Sequence, residues 1–572
     1  MAETIVETKA CKYCWASFTI TDKDLEFYDK ISPVFWWKKY SIPSPTLCPD
    51  CRQQRRLARR NERKLYKRTC DASGKPIISI FSPDKPYKVY DQRIWRSDNR
   101  NDMDYGRSFD FDKDFFQQFE ELMITMPKIS LINKWSENSE YTNDANNNKD
   151  CYLCFWVDES QNVYHSTLWI SNKNCVDCYW LWESENCYEC KDCTRCFNVF
   201  FSDSCNDISD CFWCSKCYNC SYCFWCKSLE NKKFNIFNKQ YTKEEYFSRI
   251  NEISWTNSLD AVLEKIKQFH LTICNKNLDI ELSENCLGDF IKNSRNVYLS
   301  YNIWKSENLK YCYNAFDIKD CYDTYMVSYG SALLYECQTI IWTSYRSGFC
   351  SFTNNGIKDC YYCIDCTNLE NCFACAGLKN KQYCIFNKQY TKEEYEALAP
   401  KIIEHMQRSP AKDGTGWQRW EFFPAKLSPF GYNETVAQES YPLSKEDALK
   451  QWFNRSDYDV PSPNVDKMLK ASELPSIQEV TDDILQQAIL CEVTGKPFRI
   501  VKPELEFYRK YNLPLPTKHP DQRHLERMQT RNPRKLRERK CAKCWTDIKT
   551  TYSPERPEIV YCESCYSKEI YW

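Results

Sequence analysis

The sequence predicts a mostly β protein with a central parallel β-helix-like solenoid in two halves, flanked by duplicated small cysteine-knuckle modules that carry helices. Three observations predict it. The two ends of the chain are copies of one another, built around CxxC pairs. The centre is itself doubled: CKSLENKKFNIFNKQYTKEEY from Cys226 returns as CAGLKNKQYCIFNKQYTKEEY from Cys375. Within each half cysteines fall on a twelve-residue grid, at Cys151, Cys175, Cys187, Cys211 and Cys223, then at Cys312, Cys360 and Cys372. A fixed short period of this kind is the mark of a solenoid.

The N-terminal segment, 1–130, and the C-terminal segment, 491–572, hold the copied modules. CPDCRQQRRLARRNERKLYKRTC from Cys48 lies over HPDQRHLERMQTRNPRKLRERKC from His519 without a gap, and Cys11 with LEFYDK repeats as Cys491 with LEFYRK. In the first copy Cys11, Cys14, Cys48 and Cys51 form two complete knuckles, and the next pairs read Cys70/Ser73 and Asp91/Ile94. The second copy reverses this: Cys491, Thr494, His519 and Gln522 are decayed, and Cys541, Cys544, Cys562 and Cys565 are complete. Two converging CxxC pairs suit tetrahedral Zn²⁺, and four thiolates leave no open position, so two structural zinc ions are expected. His519 is a further candidate ligand, but Thr494 and Gln522 are poor partners for it.

After Cys51 comes a basic stripe. Arg52, Arg55, Arg56, Arg59, Arg60, Arg63, Lys64 and Lys67 follow helical spacing, and the second copy keeps Arg523, Arg527, Arg531, Arg534 and Lys535. A zinc-anchored helix with a cationic face is suited to phosphate, which makes nucleic acid, RNA before DNA, or the ribosome the expected partner. The same face could instead salt-bridge the acid-rich solenoid of its own chain, or stand in solvent. Pro533 occupies the place of Glu62, so the helix is expected to stop near Asn61.

The centre, divided as 131–250 and 251–400, is poor in glycine and rich in Cys, Asn, Asp, Tyr and Trp. Short β-prone triplets between Asn/Asp/Ser turns favour β coils, here expected at about 24 residues per coil with two grid units in each. Cysteine can stack inside such a coil and turn asparagines can form ladders. Cys187 to Cys226 is the densest run; an internal cysteine ladder is preferred over metal or cluster binding, because Tyr, Ala and Leu fill equivalent places in the second half. Trp180, Trp182, Trp213 and Trp225 read first as packing groups and second as stacking platforms. Each half ends in YTKEEY, where Thr242 with Glu245 and Thr391 with Glu394 make capping boxes for bracing helices. The stretch 401–490 reads as a connector that wraps back, with a helix starting at Ser444 and Asp447 as its box partner.

Composition sets the bounds. In 572 residues there are 37 cysteines, five histidines and a net charge of −1. With no basic n-region or apolar leader at the start and no apolar run long enough for a bilayer, a reducing cytoplasm and free or metal-bound thiols are expected. Few histidines leave few general bases near neutral pH.

CKYC, LEFY, PTLCPDCRQQRRLARRNERKLYKR and SPDKPYKVY resemble the zinc-ribbon-like modules of a Cys-rich protein family of small-genome candidate-phylum bacteria, and SPFGYNETVAQ, CEVTGKPFRI and LPLPTKHPDQRH are similar to its C-terminal part. The resemblance implies architecture and zinc binding, with cysteines in related chains where this one has Ser73, Asp91 and Ile94.

The expected function is therefore a zinc-stabilised, non-enzymatic nucleic-acid-binding protein with no catalytic residues. A scaffold or metal-storage protein using the Cys-rich coils is the alternative, and a β-helix carbohydrate-active enzyme, with Asp158, Glu159, Asp203 and Asp207 as available acids, is a third.

Overall fold

A computed structural model describes residues 3–98, 100–167, 170–252, 259–353, 356–408, 420–461, 465 and 467–570. The chain divides into two units: Met1–Ser130 with Leu278–Tyr458, and Leu131–Asn277 with Asp459–Trp572. The amino-terminal modules thus share a unit with the second solenoid half, and the carboxy-terminal modules with the first. The expected connector is itself divided, with Trp420, Phe422 and Phe423 in the core of one unit and Leu469, Val480 and Ile484 in the core of the other.

In the second of these units the solenoid coils pair in parallel up to Lys233–Ile236, which then turns back antiparallel onto Lys239–Gln240. Gln161–Tyr164, Lys173–Val176, Glu185–Tyr188, Phe197–Phe200, Ser209–Phe212, Ser221–Phe224 and Lys233–Ile236 pair in sequence, with Gln161 opposite Lys173 and Lys173 opposite Glu185. Each step of the register is 12 residues, so one coil is 12 residues and the expected 24 is corrected. The cause is backbone handedness. Asn174, Asp177, Trp180, Glu183, Asn186 and Glu189 all have φ near +50°, a left-handed corner at every third residue. Turning so often, the chain closes four short sides in one grid period.

The residue after each corner points inward. Cys175, Cys178, Leu181, Ser184, Cys187, Cys190, Cys193 and Cys196 are all buried. The CxxC beat of the centre is therefore the length of one side of the coil. Each thiol is occupied by backbone: Cys175 Sγ donates to Lys173 O at 3.3 Å and lies 3.7 Å from Ser184 O on the next turn. Polar columns stack in the same register. Ser160 N donates to Asn148 Oδ1, Asn172 N to Ser160 Oγ and Ser184 N to Asn172 Oδ1. At the corners the expected asparagine ladder runs through Asn162, Asn174, Asn186 and Asn198 to Asp210.

The coil of the other unit is less regular. Its register starts at 11 residues, Ile280 opposite Ile291, settles at 12 and lengthens to 13 where Ala332 faces Tyr345. Near the short turn, a Cβ on Gly288 would lie 1.9 Å from Ser300 O, so only glycine allows the strands to close there. Both halves end as the capping boxes require: Thr242 and Glu245, and Thr391 and Glu394, exchange bonds at the starts of Lys243–Glu252 and Lys392–Arg408. Ser444 caps Lys445–Lys450 through Asp447 N. Trp213 and Trp225 are packing groups, buried with Phe224, Tyr246 and Ile266. Among the described residues no helix is long and apolar enough to cross a membrane.

Candidate metal centres and the arginine rails

All four modules repeat one local construction. A hairpin carries the first cysteine, whose N–H bonds the carbonyl five residues on and whose carbonyl accepts from the residue four on. This holds at Cys11, Cys70, Cys491 and Cys541. A helix N-terminus faces each: Pro49–Leu57 after Cys48, Gln92–Arg96 after Asp91, Pro520–Gln529 after His519 and Glu563–Ile570 after Cys562. Pro49 and Pro520, each opening its helix, lose no bond, since the first N–H groups have no partner in the helix.

Two of the four modules gather sulfur. Cys11, Cys14, Cys48 and Cys51 place their Sγ atoms within 4.8 Å of one another, and so do Cys541, Cys544, Cys562 and Cys565; among the described residues no other set of three or more ligating side chains does so. Cys14 and Cys48 stand 3.6 Å apart, Cys544 and Cys562 3.7 Å. Both groups could hold a metal ion, as the spacing predicts. Hydrogen bonds from the Cys48 and then the Cys51 thiol hold Cys11 far below the ordinary thiol range, while Cys48 is pushed up to about 12 by the bond it gives Cys11. Cys544 is brought down to about 6, chiefly by the Thr546 hydroxyl. Cys51 and Cys565 are pushed up in turn, so the bonds within each set favour a thiolate at one sulfur over its neighbours.

The decayed modules have turned the same positions to backbone use. Asp91 N donates to Cys70 Sγ at 3.2 Å, as Cys562 N does to Cys541 Sγ, and the Asp91 carboxylate caps its helix. His519 Nδ1 accepts from Asp521 N at 3.1 Å, so it serves as a helix cap and joins no ligand group.

The basic stripe is not where phosphate contact requires it. Pro49–Leu57 ends before Asn61, and Arg52, Arg55, Arg56, Arg59 and Arg60 are at most 2% exposed. Arg52, Arg55 and Arg56 close on Asp323 and Glu336, carboxylates at the coil's left-handed corners. Arg52 reaches Asp323 at 2.8 Å; Arg56 bridges Asp323 at 3.2 Å and Glu336 at 2.9 Å; Arg55 meets Glu336 at 3.1 Å and Glu421 at 3.8 Å. Arg60 bonds Thr339 and Glu62. Arg59 donates to Leu427 O at 2.8 Å and lies over the Phe423 ring; burial lowers it to about 10.

The second copy repeats the contacts at three of these positions, Glu526 and Thr530 standing in place of Arg55 and Arg59. Arg523, aligned with Arg52, pairs with Asp177; Arg527, aligned with Arg56, bridges Asp177 at 3.1 Å and Glu189 at 2.9 Å; Arg531, aligned with Arg60, forks onto Asp192 at 2.9 Å. Asp177 and Glu189 are one coil apart, as are Asp323 and Glu336, so each stripe is a rail laid along a ladder of corner acids. This corrects the expectation for these side chains: their partner is their own solenoid. Arg63, Lys64 and Arg534 are half-buried, and Lys67 and Lys535 exposed. The LEFY repeats dock alike, Tyr28 meeting Tyr335 at 5.3 Å and Tyr508 meeting Tyr188 at 6.0 Å.

The acids available for glycan chemistry stand elsewhere in the coil. Asp207 is held by Arg195 one turn earlier, Asp203 accepts from Ser215 at 3.1 Å, and burial, with Glu159 and Asp144 nearby, raises Asp158 to about 7.

No protein-family model and no curated protein matches the chain. Among solved structures it is similar to a putative acetyltransferase from Desulfovibrio desulfuricans G20 at 9% identity, over 51% of this chain and 82% of that one, with a TM-score of 0.10, too low to carry an argument.

Proposed function

We propose that the chain is a zinc-stabilised, non-enzymatic binding protein in which Cys11, Cys14, Cys48 and Cys51, and Cys541, Cys544, Cys562 and Cys565, each hold one structural Zn²⁺. The observation that supports this most is the gathering of four sulfurs from a knuckle and a helix start at both places. Zn²⁺ bound there fixes the hairpin to the helix in a module with little core of its own. With only thiolates as donors the ion has no open position for substrate. The zinc-fixed helix then carries the arginine rail at a set height above the corner acids, so metal, module and coil are mechanically one device within each unit.

Metal analysis of the purified chain tests this reading. Two zinc ions per chain, falling to one in Cys48→Ser and in Cys562→Ser, is the expected result. A chain with no zinc, or a brown protein with many more metal ions than two, overturns it.

A further inference from the structure

The complete four-sulfur knuckles differ from the decayed ones in a residue that no metal requires. The position four after the first cysteine is left-handed in all four modules. It is Gly74 at φ +69° and Gly495 at φ +68° in the decayed pair, but Trp15 at φ +61° and Trp545 at φ +60° in the complete pair. A left-handed backbone is unfavourable for a bulky residue and natural for glycine. Packing does not explain the exchange: a Cβ on Gly74 or Gly495 meets nothing within 4 Å, and Trp15 and Trp545 are 78% and 75% exposed. A strained, solvent-facing indole therefore accompanies an intact metal site twice over.

Each knuckle carries a net positive charge. From Thr8 to Ser17 the first holds Lys9 and Lys12 and no acid; the aligned stretch from Glu538 to Asp547 holds Arg539, Lys540 and Lys543 against Glu538 and Asp547, with Asp547 meeting Lys540 at 2.7 Å. Lys12 lies inside CKYCW and Lys543 inside CAKCW, and both are exposed. Lys543 meets Glu569 at 2.6 Å in solvent, a pair weak enough for a phosphate to replace.

We propose that each Trp-tipped knuckle is a stacking platform for an unpaired nucleobase of single-stranded nucleic acid, with the knuckle lysine facing the neighbouring phosphate. An exposed indole beside cations is the chemistry by which such strands are held without sequence readout. A duplex, whose bases are already stacked, would not use it. The inference rests on the proposed zinc-folded modules, and moves nucleic-acid contact from the buried rails to the knuckles.

The test uses the full chain with zinc and a fluorescein-labelled 12-nucleotide oligouridine, read by anisotropy at low salt. Trp15→Gly and Trp545→Gly place in each knuckle the residue its decayed counterpart already has, so folding and a zinc content of two should persist. The double variant is expected to weaken binding about 5- to 150-fold, the range that loss of one stacked base implies, and either single variant to halve the number of binding sites. Lys12→Glu and Lys543→Glu should weaken it most at low salt and give a shallower salt dependence than the parent chain, and a blunt RNA duplex should show no tryptophan dependence. Unchanged affinity in the double glycine variant, or no binding by the parent chain while two zinc ions are present, overturns the platform and leaves the zinc reading standing. Tryptophan-dependent retention of a protein from nuclease-treated lysate, with oligouridine unbound, overturns it in favour of a peptide partner. Loss of zinc in the parent chain instead strikes the reading beneath it.

Discussion

Replacing Asp323 by asparagine is the most direct perturbation of the rails. Asp323 is fully buried and takes Arg52 at 2.8 Å and Arg56 at 3.2 Å. Asparagine keeps the shape and removes the charge. Arg56 retains Glu336 at 2.9 Å, but among the described residues Arg52 is left with the Leu47 carbonyl at 2.7 Å and the Tyr311 ring. An arginine buried without its counter-charge costs about 3–5 kcal/mol. The copied site supplies the control: in Asp177→Asn, Arg523 keeps Glu504 at 3.6 Å and Arg527 keeps Glu189 at 2.9 Å. The second variant should therefore lose less, roughly 3 kcal/mol against 4–5 for the first. Urea unfolding in zinc-containing buffer, followed by near-ultraviolet circular dichroism, should show the transition of the affected unit lowered by about 1.5 M for Asp323→Asn, at an m-value near 3 kcal/mol/M. Arg52→Met combined with Asp323→Leu should recover most of the loss, since a packed apolar pair can replace a buried ion pair. A change of less than about 0.5 kcal/mol, the size of a surface substitution, would mean that the stripe faces solvent, and the rail argument would be wrong.

Acid should strip one of these contacts before others. Glu504 is pushed up by burial, but His165 at 3.1 Å and then Arg523 outweigh this and bring it to about 2. Its folded pKa lies below its unfolded one, so its contribution, roughly 3 kcal/mol, is present above pH 4.5 and is lost as pH falls toward 2; a pH titration of stability in Glu504→Gln should be flatter across that window, and an identical slope would refute the assignment. Inside the coil, Cys187→Ala removes a sulfur that donates to Glu185 O at 3.6 Å in a fully buried place. A loss of about 1–2 kcal/mol with two zinc ions still bound is expected, and a fall in metal content would show that the column binds metal after all.

Much of this was legible because the chain is written twice. The copied termini locate both sulfur sets, and the capping boxes at Thr242, Thr391 and Ser444 locate three helix starts, since a cap is a local interaction. The coil length was hidden by a coincidence of periods. A corner at every third residue cannot be inferred from β-propensity, because Asn, Asp, Glu and Trp all occupy it, and only the hydrogen-bond register separates a 12-residue turn from half of a larger one. The fate of the stripe is a tertiary fact: helical spacing shows that the arginines share a side and not what that side meets. A signal was nevertheless present. Asp177, Glu189 and Asp192 are spaced like Asp323, Glu336 and Thr339 with one residue added, and each set answers an aligned arginine trio.

The same CxxC spacing thus has two physical origins in one chain. At the termini it is the turn of a hairpin, where two sulfurs on one loop converge with two at a helix start. In the coil it is the length of one side, where inward residues three apart point to different walls and each sulfur is absorbed by a carbonyl. The terminal spacing depends on its loop and survives only as a set: where Ser73 or Thr494 stands in, Asp91 or His519 caps its helix and glycine takes the left-handed corner. The coil spacing tolerates exchange singly, which is why valine, leucine and serine interrupt its columns without breaking the register. Whether a cysteine pair binds metal is therefore decided by what its partners can reach, and in this chain the accompanying tryptophan marks the two places where they do.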